Sequence, residues 1–373
     1  MFPLRAGFCR ACTLVQIDHT IPKEAMFSAY PYVSGTTRTL AAHFQRTAAK
    51  LVERYSLGPS DLVVDIGSND GTWLKQYAPF GVRTLGVEPA ANVAAIATAD
   101  GVPTLNRFFN AETATAIRNT DGEASLITAA GVFFHLEELH SVCEGIRALL
   151  APGGVFCVQA IYLGGMIENT AFDQIYHEHL CYYTLRSLNG LLARHGLEVF
   201  EVALVDIHGG SIEAHVGHIG ARPVGASVAR LLREESATGL DRISTYISFA
   251  ARVWELRDAL LDTLREYRAR GATVYSYGAP AKGATLLNSF GIGPYLVALA
   301  VEKSPLKFGQ LMPGSRVPIV DETTVGPPDA YLVLSWNFLD EFLRKEASYL
   351  HSGGEFIVPV PALRIYNRLD LVA

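Results

Sequence analysis

The stretch that decides the fold reads Asp61-Leu62-Val63-Val64-Asp65-Ile66-Gly67-Ser68-Asn69-Asp70-Gly71. Its apolar run is typical of a buried parallel strand, which turns at a glycine and leads into a helix expected from about Thr72. The next predicted strand, residues 83–89, ends in Glu88 followed by a proline. In doubly wound α/β folds, an acid at the end of the second strand typically binds the ribose hydroxyls of a nucleoside. The sequence therefore predicts a Rossmann-like α/β domain with a nucleoside site.

The glycine turn indicates which nucleoside. It reads Asp-x-Gly-Ser-Asn-Asp-Gly and lacks the G-x-G-x-x-G pattern that cradles a pyrophosphate. This difference favours S-adenosylmethionine (SAM) over a dinucleotide. Gly67 would let the ligand approach the backbone closely, because glycine has no side chain. A fold of this type that binds no ligand is the alternative.

Length and composition indicate a globular enzyme of two domains or one elaborated domain. The chain has 373 residues, of which 49% are hydrophobic and 18% charged. A net charge of −6 argues against a nucleic-acid partner. No apolar run approaches a membrane span, the N-terminus lacks a signal layout, and five cysteines make no disulfide framework. We expect a cytoplasmic protein without a membrane partner, and its oligomeric state stays open.

A second strand, glycine loop and helix begin at Gly271 and continue through Tyr277-Gly278-Ala279-Pro280-Ala281-Lys282-Gly283. They predict a second α/β domain, preceded by a linker at residues 221–240 and a long amphipathic helix from Ile243 to Arg270. Lys282 at the start of a helix suits an anionic group such as a phosphate. A solvated surface lysine is the alternative.

The densest group of proton-handling side chains is Asp173-Gln174-Ile175-Tyr176-His177-Glu178-His179-Leu180-Cys181-Tyr182-Tyr183. Histidine titrates near neutral pH, and a neighbouring carboxylate can hold its tautomer. An extended segment would put His177 and His179 on one face, whereas a helix would pair Tyr176 with His179. The segment follows the fifth predicted strand, and His135 follows the fourth, so both should lie where ligands gather. Catalysis and a polar seam between domains both fit this composition.

Residues 1–35 show no regular pattern, and they contain Cys9-Arg10-Ala11-Cys12, which is half of a common zinc site. Structural zinc needs four ligands, and the chain has no second C-x-x-C. A plain pair of thiols is therefore the alternative.

Four stretches together resemble the sugar C-methyltransferase family, whose members act on nucleotide-linked 4-keto deoxysugars in the biosynthesis of branched sugars for antibiotics and surface glycans. They are residues 8–16 with 27–34, residues 64–71, residues 173–183 with His208-Gly209-Gly210-Ser211, and residues 277–283. The resemblance covers nearly the whole chain. It implies a partial zinc-binding-type module in residues 1–35, a SAM-binding methyltransferase domain in residues 36–220, and a C-terminal Rossmann-like domain in residues 221–373 that helps to hold the nucleotide sugar.

The resemblance also implies the site residues. The implied catalytic residues are His179, Glu178, Tyr176 and His135. The implied SAM-binding residues are Asp65, Gly67, Asn69, Glu88, Tyr30 and Tyr32. The implied substrate-binding residues are His177, His208, Gly209, Ser211, Lys282 and Tyr277.

The chain departs from the family pattern twice. Family members usually carry another C-x-x-C upstream, so Cys9 and Cys12 are expected to be half of a site, and zinc is doubtful. The fourth strand usually ends in asparagines, where this chain has Ala130 and Gly131. A SAM contact through the backbone would survive that change.

The implied reaction is C-methylation of a dTDP-linked 4-keto deoxysugar at C3. His179, oriented by Glu178, would remove the α-proton, and Tyr176 or His135 would hydrogen-bond the enolate oxygen while the enolate carbon attacks the SAM methyl. The residues alone do not decide whether His179 or His177 is the base. The alternatives are an O- or N-methyltransferase of a small molecule and a non-catalytic relative that binds a sugar nucleotide.

Overall fold

The chain forms two compact units. The computed structural model describes residues 2–36, 38–207 and 209–371. The first unit comprises Met1–Leu163 and His177–Asp241, and the second comprises Gly164–Tyr176 and Arg242–Ala373. In the described ranges, no helix combines the length and the apolar character that crossing a membrane requires.

The regular elements are numbered in chain order. The strands are β1 (Ala6–Phe8), β2 (Val15–Ile17), β3 (Leu62–Ile66), β4 (Arg83–Val87), β5 (Thr104–Leu105), β6 (Ala124–Ala130), β7 (Leu150–Ile161), β8 (Cys181–Tyr182), β9 (Leu197–Val205), β10 (Ser211–His218), β11 (Val274–Tyr277), β12 (Leu299–Glu302), β13 (Ile319–Asp321), β14 (Ala330–Val333), β15 (Glu355–Val358) and β16 (Arg364–Tyr366). The helices are α1 (Lys23–Phe27), α2 (Arg38–Tyr55), α3 (Ala91–Ala99), α4 (Ala111–Asp121), α5 (Leu139–Leu149), α6 (Leu163–Glu168), α7 (Leu185–Ala193), α8 (Ala226–Ala237), α9 (Ile243–Ala269), α10 (Ala281–Phe290), α11 (Leu339–Lys345) and α12 (Ala347–His351).

A seven-stranded sheet in the order β5-β4-β3-β6-β7-β10-β9 forms the centre of the first unit. The first five strands in this order, from β5 to β7, run parallel. Val64 on β3 pairs with Leu85 on β4 and with Ile127 on β6. Every residue of β3 is buried, which explains its unbroken apolar run. The antiparallel pair β9 and β10 completes one edge. The carboxyl ends of β3, β4, β6 and β7 therefore share one edge.

Helix α2 anchors one face of this sheet through an apolar stripe that recurs at three- and four-residue steps. Its Phe44 ring stacks on Trp73, with ring centroids 4.9 Å apart. Burying one such side chain stabilises the fold by about 1.5–3 kcal/mol. The helix predicted from about Thr72 is not an α-helix. Leu74–Phe80 is a 3-10 helix that contains Pro79, which has no N–H for an α-helical hydrogen bond.

The N-terminal segment is not irregular, contrary to the expectation for residues 1–35. Strands β1 and β2 form a hairpin, and β2 also pairs with β8, the strand that follows Glu178 and His179. The hairpin turn joins the Cys9 N–H to the Leu14 carbonyl at 2.9 Å. Strands of two or three residues are too short to show a periodic pattern in the sequence. Their extended conformation depends on the strands with which they pair.

Residues 221–240 are not a linker, because most of them form α8. Its Val228 and Leu231 side chains are buried beside β9 and α7. The buried Glu235 carboxylate accepts hydrogen bonds from the N–H groups of Leu185 at 2.6 Å and Arg186 at 3.0 Å. A carboxylate at this place satisfies unpaired N–H groups at the start of α7 and complements its dipole.

The second unit has a sheet of its own, in the order β13-β12-β11-β14-β15-β16. Strands β11 to β15 run parallel, and β16 is antiparallel. Gly278, with φ 82°, makes the turn from β11 into α10. This confirms the predicted second strand, glycine loop and helix. The winding direction changes between β11 and β14, where ligands of such sheets commonly bind.

Candidate active site

Glu88 lies just beyond the carboxyl end of β4 and is 6% exposed. Its Oε2 accepts the N–H of Asn69 at 2.8 Å, and its Oε1 accepts the N–H of Ala90 at 2.8 Å. Burial raises the pKa of Glu88, and these two N–H groups lower it. Each carboxylate oxygen keeps a further acceptor position, so the group can still bind two vicinal hydroxyls. These two acceptor positions fit the ribose hydroxyls of a nucleoside cofactor.

The turn after β3 combines an exposed backbone with an unused hydroxyl. Gly67 has φ 69°, and a Cβ atom there would lie 2.7 Å from Cγ2 of Val132. Both the conformation and this close approach require glycine. The buried Ser68 Oγ has no hydrogen-bond partner in the described part of the chain. An unpaired buried hydroxyl is costly, and a polar ligand atom would satisfy it. The residues at this edge therefore fit SAM.

Asp65 lies inside the sheet, one residue before the end of β3. Its Oδ1 accepts a hydrogen bond from Thr128 Oγ1 at 2.6 Å. Burial raises the pKa of Asp65 to about 7, while Thr128 lowers it and the Glu88 charge raises it. The structure thus places Asp65 beneath the turn, where it supports the strand ends.

Asp65→Asn should make the free energy of unfolding less dependent on pH. A carboxyl whose pKa rises from 3.8 to about 7 on folding stabilises the fold fully below pH 3.8, and this stabilisation is lost as pH rises through 7. Between pH 5 and pH 8, the wild-type protein should lose about 2–3 kcal/mol more than the variant. Urea unfolding of both proteins without cofactor measures the difference. Parallel pH profiles would contradict the assignment.

Residues 28–35, here named the strap, hydrogen-bond to the segments that follow β3 and β4. They include both tyrosines predicted to bind the cofactor. The Tyr30 hydroxyl donates to Glu178 Oε2 at 2.8 Å. The Tyr32 ring is 41% exposed, and its centroid lies 6.4 Å from that of Tyr30. The structure therefore joins Tyr30 to a predicted catalytic residue.

Glu178 and His179 meet the segment that follows β6. Burial raises the pKa of Glu178, and the hydrogen bond from Tyr30 lowers it. The His179 side chain is buried at 4% exposure. Its ring centroid lies 4.6 Å from Phe134 and 5.1 Å from His135. Two imidazoles thus lie side by side in the first unit, next in the chain to a carboxylate that Tyr30 holds.

His135 is oriented by a backbone carbonyl. Its Nδ1 lies 2.6 Å from the carbonyl oxygen of Glu178. A carbonyl oxygen only accepts, so Nδ1 carries the proton. The neutral ring therefore presents Nε2 as an acceptor, and only the imidazolium form can donate from Nε2.

His177 faces the N-terminal segment. Its Nε2 lies 3.0 Å from the Pro3 carbonyl oxygen, which requires the proton on Nε2. Its ring contacts Phe2, with centroids 6.2 Å apart. These contacts differ from those of His179, although only Glu178 separates the two histidines in the chain.

The glycine turn before β10 lies beside the end of β7. Gly209 has φ 85°, Gly210 has φ 111°, and the Gly210 carbonyl accepts the Tyr162 N–H at 3.1 Å. Ser211 Oγ donates to the Ile207 carbonyl at 2.9 Å. His208, predicted to bind substrate, lies outside the described residues.

Three predicted site residues belong to the second unit, namely Tyr176, Tyr277 and Lys282. Lys282 lies in the first turn of α10, hydrogen-bonds Asn337 Oδ1, and places its ammonium 4.6 Å from the Trp336 ring centroid. Burial lowers the pKa of Lys282 to about 8, while the Asp173 charge raises it. The alternative of a solvated surface lysine is therefore wrong.

Tyr277 is held within the second unit by charged neighbours. Its hydroxyl donates to Glu346 Oε1 at 2.7 Å and accepts from Lys345 Nζ at 2.8 Å. Burial raises the pKa of Tyr277 well above its usual value.

Cys9 and Cys12 lie at the turn between β1 and β2, on a hairpin that fits half of a zinc site. Backbone N–H groups of Cys12 and Ala11 lower the pKa of the Cys9 thiol. Across residues 2–36, 38–207 and 209–371, no three histidine, cysteine or acidic side chains are grouped as metal ligands. Two thiols are too few for structural zinc.

Sequence reasoning missed Phe134 and Asn92. Phe134 packs on the His179 ring, and Asn92 holds the backbone of Tyr30. The position of Phe134 next to His135 in the chain is a signal by which it could have been predicted as a site residue. Asn92 offered none, since an asparagine in the first turn of a helix is ordinary.

Comparisons with known proteins match nearly the full chain. A family model described as a methyltransferase domain matches residues 40–202, and one described as a C-methyltransferase C-terminal domain matches residues 206–361. The C-methyltransferase NovU of Streptomyces niveus is 38% identical over 370 residues, which cover 98% of this chain and 88% of NovU.

Solved structures are matched over about half of the chain. A SAM-dependent methyltransferase of Anabaena variabilis has a TM-score of 0.39 at 18% identity, covering 48% of this chain and 86% of its own. The CcbJ methyltransferase of Streptomyces caelestis has a TM-score of 0.36 at 15% identity, covering 47% of this chain and 89% of its own.

Proposed function

Since this chain belongs to the C-methyltransferase family of SAM-dependent enzymes, we propose that it methylates C3 of a dTDP-linked 4-keto deoxysugar. The observation that carries the proposal is the buried imidazole of His179 beside that of His135, whose Nδ1 contacts the Glu178 carbonyl, in the unit that holds the nucleoside-type strand ends. Methylation at carbon needs a base for a C–H proton, and this pair of imidazoles supplies one.

His179 is the proposed base. A 4-keto group acidifies the neighbouring C3–H, and the imidazole takes that proton while the electron pair of the C–H bond enters the enolate. When bound, SAM supplies the electrophilic methyl group. Burial of His179 against Phe134 keeps water from competing for its lone pair. His177 is a poorer candidate, because it contacts Phe2 and Pro3 in the N-terminal segment, whereas His179 packs against Phe134 and His135.

The enolate oxygen needs donors that are already in place. Tyr176 is one candidate. His135 is another in its imidazolium form, because its Nδ1 proton is used by the Glu178 carbonyl. The Tyr30 hydroxyl holds the Glu178 carboxylate, and the Glu178 backbone carbonyl orients His135.

The second unit is proposed to bind the diphosphate of the nucleotide sugar. Lys282 places a cation in the first turn of α10, where the helix dipole also favours an anion. The N-cap residue of this helix is Pro280, whose side chain caps none of the N–H groups. A phosphate oxygen would satisfy them.

Mass spectrometry tests the reaction. The enzyme is incubated in deuterated water with SAM and a panel of dTDP-4-keto-deoxysugars, and each sugar nucleotide is weighed. We expect one sugar to gain a methyl group, and the unreacted sugar to exchange its α-proton for deuterium. A C–C bond in the product, located by NMR at C3, would support the position. Absence of methyl gain and exchange across the panel, with SAM still bound, would rule out this acceptor class.

A further inference from the structure

Two asparagine side chains hold the strap with both ends of their amides. Asn92 Oδ1 accepts the N–H of Tyr30 at 2.9 Å, and its Nδ2 donates to the Tyr30 carbonyl at 2.7 Å. Asn69 Oδ1 accepts the N–H of Ser34 at 2.9 Å, and its Nδ2 donates to the Tyr32 carbonyl at 3.1 Å. Each side-chain amide thus makes the two backbone hydrogen bonds that a neighbouring strand would otherwise make with the strap.

The backbone position of Tyr30 decides where its hydroxyl lies. The ring is packed against Phe27, with centroids 5.7 Å apart, and Phe27 also contacts His135 at 5.4 Å. Side chains occupy a few staggered rotamers, so a fixed backbone and a packed ring leave the hydroxyl one position. That position is 2.8 Å from Glu178 Oε2.

Asn92 belongs to the same short segment as the cofactor acid. Glu88 Oε1 accepts the N–H of Ala90, and the N–H of Ala91 donates to the Ser28 carbonyl at 3.1 Å. Asn92 follows in the first turn of α3. Consecutive residues therefore contact the ribose acid, the start of the strap and Tyr30.

We propose that Asn92 is a positioning residue that holds the Tyr30 hydroxyl on Glu178 and so couples the cofactor-binding end of β4 to proton transfer at His179. This inference rests on the proposed function. Glu178 is half-buried, and a displaced Tyr30 would leave its Oε2 without this donor. Glu178 immediately precedes His179, and its carbonyl oxygen lies 2.6 Å from His135 Nδ1, so a shift of Glu178 would move both imidazoles.

A double-mutant cycle tests the coupling. Asn92→Ala and Tyr30→Phe are made singly and together, and kcat for methylation and the rate of α-deuterium exchange are measured with dTDP-4-keto-6-deoxyglucose. Each single change should lower both rates by about 10–100-fold, and the double variant should be no slower than Tyr30→Phe alone. Multiplied losses in the double variant would mean that Asn92 acts independently of Tyr30, and would overturn the proposal.

Two controls separate positioning from loss of fold. Asn119→Ala, at an exposed position of α4, should leave both rates unchanged. Asn92→Asp keeps the acceptor for the Tyr30 N–H and loses the donor, so it should recover part of the rate. An Asn92→Asp enzyme no faster than Asn92→Ala would contradict the role of the acceptor.

Amide hydrogen exchange with bound S-adenosylhomocysteine needs no sugar. It therefore tests whether Asn92 holds the strap even if the proposed acceptor is wrong. Asn92→Ala should speed exchange at residues 28–34 by at least about tenfold while the amides of β3 stay protected. Equal protection of the strap in both proteins would overturn the proposal whatever the acceptor is.

Discussion

His179→Asn should lower methyl transfer by about a hundredfold to ten-thousandfold, the usual contribution of a general base. The imidazole is buried beside Phe134 and His135, and asparagine fills similar space without a titratable nitrogen. Cofactor binding should not change, because no residue at the end of β3 or β4 is altered. Single-turnover methylation and α-deuterium exchange should fall together, since both require removal of the same proton.

His177→Asn is the matched control for that experiment. It removes an imidazole two positions away whose Nε2 hydrogen-bonds the Pro3 carbonyl. We expect α-deuterium exchange at saturating sugar nucleotide within about threefold of wild type, because the loss of a substrate contact raises KM and leaves removal of the α-proton intact. If His177→Asn abolished α-exchange and His179→Asn did not, the two histidines would have to exchange roles.

Glu88→Gln should weaken binding of S-adenosylhomocysteine by about 10–150-fold. Hydrogen bonds to a charged group contribute about 1.5–3 kcal/mol, and the amide loses that charge. The NH₂ group of glutamine would also face a backbone N–H, because Asn69 donates to one carboxylate oxygen and Ala90 to the other. Isothermal titration calorimetry measures the affinity without any acceptor substrate.

Glu53→Gln is the control for this second experiment, because Glu53 is exposed on α2. It makes the same chemical change away from the strand ends and should leave the affinity unchanged. An unaltered affinity in Glu88→Gln would show that Glu88 supports the turn without binding the ribose.

Local sequence patterns predict the central sheets of the two units. The run Leu62–Ile66 is apolar throughout except for Asp65, and a buried parallel strand needs that composition whatever surrounds it. The glycines at positions 67 and 278 both have positive φ, which other residues rarely adopt. Conversely, local patterns predict a linker where α8 forms, because the burial of α8 depends on contacts with β9 and α7.

The candidate site divides in the same way. Glu88, His135 and the histidines at 177 and 179 were visible as residue types placed after predicted strands. Their partners were not visible. The Tyr30 hydroxyl reaches Glu178 across 148 positions of sequence, and the Asn92 amide reaches Tyr30 across 62.

By itself, the sequence determined two α/β units, the nucleoside-type turn and a cluster of proton-handling side chains, because each depends on residues that are neighbours in the chain. Only the tertiary structure decided which histidine is buried, which nitrogen of His135 carries its proton, and what holds Tyr30 in place. These depend on packing and hydrogen bonds between distant segments, and hydrogen-bond partners set the protonation and direction of a side chain.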